Sequence, residues 1–411
     1  MPKSLTVYLH EQLVGYLTQG EGGRLSFAYT PDYLRLADAQ PISLALPLAE
    51  AIYPHPVCHG VFGGMLPEGD VRIRLAKALG VSDKNDFSLL AEIGGDCAGA
   101  VSLWPDQAPT KRGSGPGRSL TTTDLEALLR QLPKRPMLIG EGVRLSLAGA
   151  QNKLALAGQP GAFRLPSDGE PSTHIIKLAS EGYDGVLENE LFCMRLAAEL
   201  GLPAARVQIL RVGQDGLGCL CVDRFDRDVQ GQRLHQEDFC QALGVPAELK
   251  YQADGGPSLV DCVGLLRRHS RRFAADLAAF LRVVYFNYLV GNADAHAKNF
   301  SLLLSADGPH LALAYDLLST TVYPELSVKM AMKIGGKSDP NEVKIRHWER
   351  LAEQCDLKPA YVVDGLAELA AKLQAKAPGA AEALQAEVGP NKVFDAIQTV
   401  MQNRAAKVKA A

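Results

Sequence analysis

The polar run Gly291-Asn292-Ala293-Asp294-Ala295-His296-Ala297-Lys298-Asn299-Phe300-Ser301 holds a denser set of reactive side chains than any other part of this 411-residue chain. Asp294 and Asn299 stand five positions apart, the spacing that lets a carboxylate lie beside an attacking hydroxyl while an amide oxygen reaches a metal ion. Asp316 would supply a second metal ligand. This set meets the needs of phosphoryl transfer, in which a carboxylate orients the nucleophile and hard oxygen ligands hold Mg²⁺ against a triphosphate. Lys298 would neutralise charge on the transferred group. The competing reading is that Asn292, Asp294 and Asn299 merely cap turns, as such residues do on many loops.

Elements to position these groups are legible on both sides. Phe273, Leu277, Phe280, Leu281, Val284 and Tyr288 recur at helical spacing and stop at Gly291, so the polar run should be a loop at the end of a buried helix. After it, 300–304 and 311–315 predict a β-hairpin around Ala306-Asp307-Gly308, with Asp316 closing the second strand. Upstream, 173–178 predicts a strand bearing Lys177, and a helix over 187–200 carries Glu190, with Glu188 as the second choice of partner for that lysine. A strand lysine held by a helix glutamate is a device for gripping the α- and β-phosphates of a nucleotide, although an edge lysine that merely snorkels would look the same. Between 144 and 156 the pattern predicts strand, small-residue loop, strand. In that loop Ala148, Gly149 and Ala150 would admit phosphates close to backbone N–H groups, and a plain hairpin turn accounts for them equally well. Gly218 to Val222 predicts an apolar strand that ends in the charged run Asp223-Arg224-Phe225-Asp226-Arg227, where a hinge contacting adenine would lie.

The 47% of hydrophobic residues is ordinary for a globular chain of two or three domains, and a net charge of -3 gives no global pull toward nucleic acid. Arg267, Arg268, Arg271 and Arg272 form the densest basic patch, read equally as a solvated helix end or as a phosphate contact. The eight cysteines lie in apolar runs without CxxC or metal-like spacing and are expected to be reduced core residues. With no apolar signal core at the start and no run approaching the roughly 18 residues of a membrane span, a cytoplasmic protein without membrane association is expected.

Taken in order, the chain opens with apolar runs at 5–9, 13–17 and 25–29, the pattern of an antiparallel meander, followed by helices near 70–79 and 87–93. The polar, turn-rich stretch 107–118 is the best linker. Thr123 and Glu126 predict a capping box for the next helix, and beyond Glu237 the periodicity is mostly helical.

Together, Ser146-Leu147-Ala148-Gly149-Ala150-Gln151, His174-Ile175-Ile176-Lys177, Val222-Asp223-Arg224-Phe225-Asp226-Arg227, Lys250-Tyr251-Gln252-Ala253-Asp254-Gly255-Gly256-Pro257, the run from Asn292 to Ser301, and Tyr315-Asp316 resemble the HipA family of bacterial toxin kinases. Leu66-Pro67-Glu68-Gly69 and Ile93-Gly94-Gly95-Asp96 extend the likeness into the amino-terminal part. The resemblance implies an α+β, two-lobed protein-kinase-like fold with an N-terminal antiparallel-β module and a mainly α-helical C-terminal lobe, divided as 1–108, 109–235 and 236–411. It implies an ATP- and Mg²⁺-dependent serine/threonine protein kinase acting as the toxin of a type II toxin–antitoxin pair. Such a toxin is neutralised by a HipB-like helix-turn-helix antitoxin, through which operator DNA is mainly contacted, and its substrates include an aminoacyl-tRNA synthetase such as the glutamate enzyme. Carried over residue by residue, Asp294 is catalytic with Lys298 beside it, and Asn299 and Asp316 hold metal. Ala148, Gly149, Ala150, Gln151, Lys177, Asp223, Phe225, His296, Asn299 and Asp316 contact the nucleotide, and Ser146 is autophosphorylated. Two alternatives stay open: a small-molecule kinase of the aminoglycoside or choline type, and a non-catalytic co-repressor using the arginine patch on DNA.

Overall fold

The computed structural model describes residues 3–105, 117–136, 144–149, 151–167, 169–180 and 182–409. Ala150 and the segment 107–116 of the expected linker lie outside these residues. The chain forms two compact units: unit 1 comprises residues 1–178 and 210–247, unit 2 residues 179–209 and 248–411. Most of the first two segments expected from sequence thus falls in unit 1, while the helix Val186–Glu199 belongs with the C-terminal part.

Unit 1 begins with the expected meander. Strands β1 (Lys3–Leu9), β2 (Gln12–Gln19) and β3 (Leu25–Tyr29) pair antiparallel, and β4 (Val101–Trp104) joins the far side of β1, giving the order β3-β2-β1-β4. Their alternating pattern places Leu5, Val7, Leu9, Leu17, Leu25 and Phe27 on one face, where they meet Phe62, Leu66, Leu89 and Leu90 from the helical turns that follow. Helices Gly69–Leu79 and Asp86–Ile93 start one residue before their expected positions, and the first ends at Gly80 with φ +70°.

A second sheet has the order β5-β7-β6-β8-β10-β9, formed by Arg118–Ser119 (β5), Lys153–Gln159 (β6), Ala162–Leu165 (β7), His174–Lys177 (β8), Val207–Val212 (β9) and Leu217–Asp223 (β10). Two expectations change here. The helix Thr122–Gln131 is capped by Thr121 and Asp124, not by Thr123 and Glu126, because Glu126 instead pairs with Arg130 one turn on, at 2.7 Å. The strand expected before the loop at Ala148, over 144–147, is not a ladder. Leu145 and Gly149 make single parallel bridges to Asp96 and Pro67, so this stretch lies extended along the first module.

Unit 2 is mainly helical: Val186–Glu199, Leu259–His269, Phe273–Val290, Ile345–Gln354, Pro359–Val388 and Lys392–Lys409. Phe273–Val290 corrects the expectation that no run is long and apolar enough to cross a membrane, since by length and composition it is. Two thirds of it is buried inside the unit, and its buried Asp276 accepts hydrogen bonds from Ser270 Oγ at 2.6 Å and Leu311 N at 2.9 Å. It is a core helix. The hairpin has strands β11 (Ser301–Ser305) and β12 (Gly308–Leu311), so its second strand lies three to four residues earlier than expected. The cause is a competing partner: Ala312 N still bonds Ser301 O at 2.9 Å, but Ala314 N bonds Pro203 O at 2.7 Å and Ala205 N bonds Ala314 O at 2.9 Å, drawing the backbone beyond Ala312 away from Ser301–Ser305.

Candidate functional site

In unit 2 the helix Phe273–Val290 stops at Gly291, where φ is +78° and a Cβ would stand 2.2 Å from Thr321 Oγ1, so the position has room for glycine alone. The turn is then pinned from below. Ala293 N donates to Thr320 Oγ1 at 2.8 Å, Asp294 N to Asn292 Oδ1 at 3.2 Å, and Asn292 Nδ2 to Asn287 Oδ1 at 3.0 Å on the helix. Asn292 therefore does act as a turn-former, whereas Asp294 is left exposed with its side chain outward.

Asn299 and Asp316 come together as the spacing requires. Asn299 Oδ1 accepts from His296 N at 3.1 Å, and its Nδ2 donates to Asp316 Oδ2 at 3.0 Å. Asp316 sits at φ +59°, a left-handed conformation that Asp tolerates better than most residues and that bends its carboxylate back toward the loop. With Asn299 Oδ1 turned from His296 N toward the Asp316 carboxylate, the two side chains would offer two hard oxygens to Mg²⁺, which takes few protein ligands and completes its shell with water and phosphate. Among the described residues no group of three or more His, Cys, Asp or Glu is arranged to hold a metal. Lys298 is buried, and its carbonyl accepts from Tyr315 Oη at 2.7 Å, a hydroxyl also 2.7 Å from Ser301 Oγ. His296 is buried as well. Burial first, then Lys250 and Lys298, push its pKa down to about 3, so it acts as a neutral imidazole at physiological pH.

In unit 1, Lys177 ends β8 and is only 7% exposed, opposite Lys153 on β6 and Leu220 on β10. Two lysines facing each other across a ladder repel, which makes the position costly without a compensating anion. Lys153 Nζ donates to Ala148 O at 2.7 Å and would lie 2.7 Å from any Cβ placed on Gly149, whose φ is +102°. Gly149 O accepts from Glu68 N at 3.1 Å, and Gln151 Nε2 donates to Leu178 O at 2.9 Å. Ser146 is fully buried, its hydroxyl donating to Met65 O at 2.7 Å and its N–H to Asp96 O at 2.9 Å. Glu190 is buried and Glu188 half-buried on Val186–Glu199, which belongs to unit 2.

Sequence reasoning missed the groups behind this segment. Within 223–227, Asp223 and Phe225 stay half-buried, with Asp223 3.4 Å from His174 across the β8–β10 register, while Arg224, Asp226 and Arg227 turn inward. There they join Asp96 and Arg233 in a buried network: Asp96 to Arg233 at 2.7 Å and Arg227 at 3.1 Å, Asp226 to Arg224 at 2.6 Å and Arg227 at 3.0 Å. Despite burial, the guanidinium groups hold the Asp96 carboxyl down to about 2. Alternating charge in Asp223-Arg224-Phe225-Asp226-Arg227 marks the run but does not show which of its side chains turn inward. A second omission is Tyr251, whose Oη lies 2.8 Å from Asp294 Oδ1. The arginine patch is partly committed elsewhere: Arg267 pairs with Asp356 at 3.0 Å, and Arg272 lies 3.5 Å from Asp276.

A strand-rich unit with a buried strand lysine, and a helical unit whose loop carries an exposed aspartate and an asparagine bonded to a second aspartate, make up a protein-kinase-like fold. Residues 5–104 match the HipA N-terminal domain and residues 145–377 the HipA-like C-terminal domain. The chain belongs to the HipA family. The Sinorhizobium fredii protein Y4mE is 44% identical over 385 residues, which cover 90% of this chain and 91% of that protein. The serine/threonine-protein kinase toxin HipA of Shewanella oneidensis is 32% identical over 363 residues, 83% of this chain and 81% of the toxin. Among solved structures, the Shewanella oneidensis MR-1 toxin–antitoxin system of HipA, HipB and operator DNA matches with a TM-score of 0.83 at 28% identity, covering 99% of this chain and 97% of that one.

Proposed function

We propose that the chain is an ATP-dependent serine/threonine protein kinase that transfers the γ-phosphoryl group to a protein hydroxyl and acts as a toxin. The observation that carries this reading is the Asn299–Asp316 pair, 3.0 Å apart, on the same loop system as an exposed Asp294. Asp294 accepts the proton of the attacking hydroxyl as its oxygen bonds to the γ-phosphorus and the bond to the bridging oxygen of ADP breaks. Lys177 and the backbone of 148–151 grip the phosphates, and buried Lys298 offsets charge developing on the transferred group. Neutral His296 shapes the nucleotide contact without adding charge, and Asp223 and Phe225 stand at the adenine end. Asn299 and Asp316 would hold Mg²⁺, which supplies charge neutralisation of the triphosphate.

The partner reading is a HipB-like helix-turn-helix antitoxin that blocks the toxin and contributes most of the contact with operator DNA. It draws on the solved neighbour, which contains HipB and operator DNA, and on the net charge of -3 with two of four patch arginines already paired. An aminoacyl-tRNA synthetase such as the glutamate enzyme is the proposed substrate, its modification slowing translation in the cytoplasm. In this reading 1–108 is an N-terminal module, 109–235 the ATP-binding part and 236–411 the helical catalytic lobe. Incubation with γ-³²P-ATP, Mg²⁺ and a bacterial extract should label the chain itself and a protein substrate. Absence of transfer to any protein, with label appearing on an aminoglycoside or choline, would overturn the reading.

A further inference from the structure

We infer that Tyr251 positions the Asp294 carboxylate for catalysis, and that the turn 250–256 is built to hold it there; this rests on the kinase reading above. Tyr251 Oη donates to Asp294 Oδ1 at 2.8 Å although 43 positions separate the two residues. Its ring meets His296 edge-on with centroids 5.5 Å apart, and Lys250 Nζ lies 5.4 Å from its centroid. The phenol is therefore oriented by His296 of the loop as well as by Lys250 of its own turn.

The turn itself is closed on its backbone. Gly256 N donates to Tyr251 O at 3.0 Å, Gly255 has φ +92°, and a Cβ at Gly256 would stand 1.9 Å from Leu249 O. Only glycine fits at either position. From this turn Gln252 N reaches Ala331 O at 3.1 Å, while Ala331 N reaches Ala293 O at 2.8 Å. Lys333 N also donates to Gln252 Oε1, at 2.7 Å. The residue after Tyr251 and the residue before Asp294 thus grip the same Ala331, so the backbone fixes the separation of phenol and carboxylate. An exposed aspartate on a loop would otherwise sample several rotamers, and a base is useful only within hydrogen-bond reach of the proton it takes. Tyr251 exchanges no proton in the reaction: it selects the rotamer of the group that does.

The test uses the full-length chain with γ-³²P-ATP, Mg²⁺ and dephosphorylated casein, reading both self-transfer and transfer to casein. Tyr251→Phe should lower kcat about tenfold or more, a share of the roughly 10²–10⁴ that a positioned base contributes. The KM for ATP should stay within about twofold, the sign of an interaction made toward the transition state and not in nucleotide binding. The melting temperature should hold, because the ring and its contact with His296 are kept. Added to Asp294→Asn, the same change should have no further effect. A residue that merely holds the fold would lower the melting temperature, raise the KM for ATP, or slow the double variant further, and each of these overturns the inference. Wild-type kcat in Tyr251→Phe alongside an inactive Asp294→Asn overturns it while leaving the kinase reading intact. No transfer by the wild-type chain removes the kinase reading and this inference with it.

Discussion

In the loop 291–301 side chains are presented, with Asp294 exposed, Asn299 against Asp316, and Tyr251 holding the carboxylate. In the segment 144–149 the backbone is held and the side chains are small or hidden: Ser146 buried on Met65, Gly149 on Glu68, and Asp96 bonded to both Arg144 O and Ser146 N. On the kinase reading, the first region would act through functional groups and the second through main-chain position. Substitutions should therefore act on the first through rate and on the second through stability and nucleotide affinity.

The largest expected effect is at Asp294. Asp294→Asn keeps the hydrogen-bond partners of an isosteric side chain but removes the base, so turnover of γ-³²P-ATP should fall by about 10²–10⁴ while ATP binding by calorimetry is unchanged. Wild-type turnover would return Asp294 to the role of a turn cap.

Behind the second region, Asp96 meets three guanidinium groups and takes Ser172 Oγ at 2.7 Å. Asp96→Asn leaves those cations under-compensated in a buried site and should cost about 3–5 kcal/mol by urea unfolding. Its carboxyl is held at about 2 against an ordinary 3.8, so its contribution is present above pH 3.8 and lost as pH falls toward 2. The variant should lack that part of the acid limb. Equal stability of variant and wild type would mean that the network does not brace the segment.

A smaller effect is expected at Ser146, where phosphorylation or Ser146→Asp would place charge in a site with no exposure at all. The segment must leave Met65 before the hydroxyl can be modified, and a phosphate adds about -1.5 to -2 charge that keeps it from returning beside a triphosphate. ATP affinity should drop at least about tenfold, or ~1.4 kcal/mol. Trypsin cuts after Arg144 and Lys153, so the peptide Leu145 to Lys153 reports the modification by mass spectrometry after incubation with Mg²⁺-ATP. An unmodified peptide from an active enzyme would dismiss the switch.

Legibility follows the same divide. The helix Phe273–Val290, its stop at Gly291, the meander and the meeting of Asn299 with Asp316 could be read because periodicity, glycine and side-chain spacing are local properties of sequence. The early end of the hairpin could not, because Ala314 chose Ala204 and its neighbours more than a hundred positions away. Nor could the inward turn of Arg224, Asp226 and Arg227: a charged run at a strand end looks solvated until Asp96, from a distant helix end, supplies its counter-charge. Tyr251 was visible only as part of a motif, since nothing in its spacing points to Asp294.

The last contrast concerns a second buried carboxyl in unit 1, which shows what Asp96 would do without its cations. Glu237 is 2% exposed, accepts Leu44 N on Oε1 at 2.9 Å, and has no hydrogen-bond partner on Oε2. Burial pushes its pKa up to about 8 from an ordinary 4.5, with Asp238 adding to the rise and Ser43 and Leu44 opposing it. Below pH 4.5 it is protonated in both the folded and the unfolded chain. Between 4.5 and about 8 the unfolded chain has lost this proton while the folded chain keeps it, so the unfolded state binds fewer protons and stability falls as pH rises. Glu237→Gln has nothing to ionise, so its melting temperature should decline less than that of the wild type between pH 5 and pH 8. The two curves should lie closest at the acid end. Parallel curves across that window would mean that the carboxyl ionises in place, and the contrast with Asp96 would then reduce to burial without a difference in charge compensation.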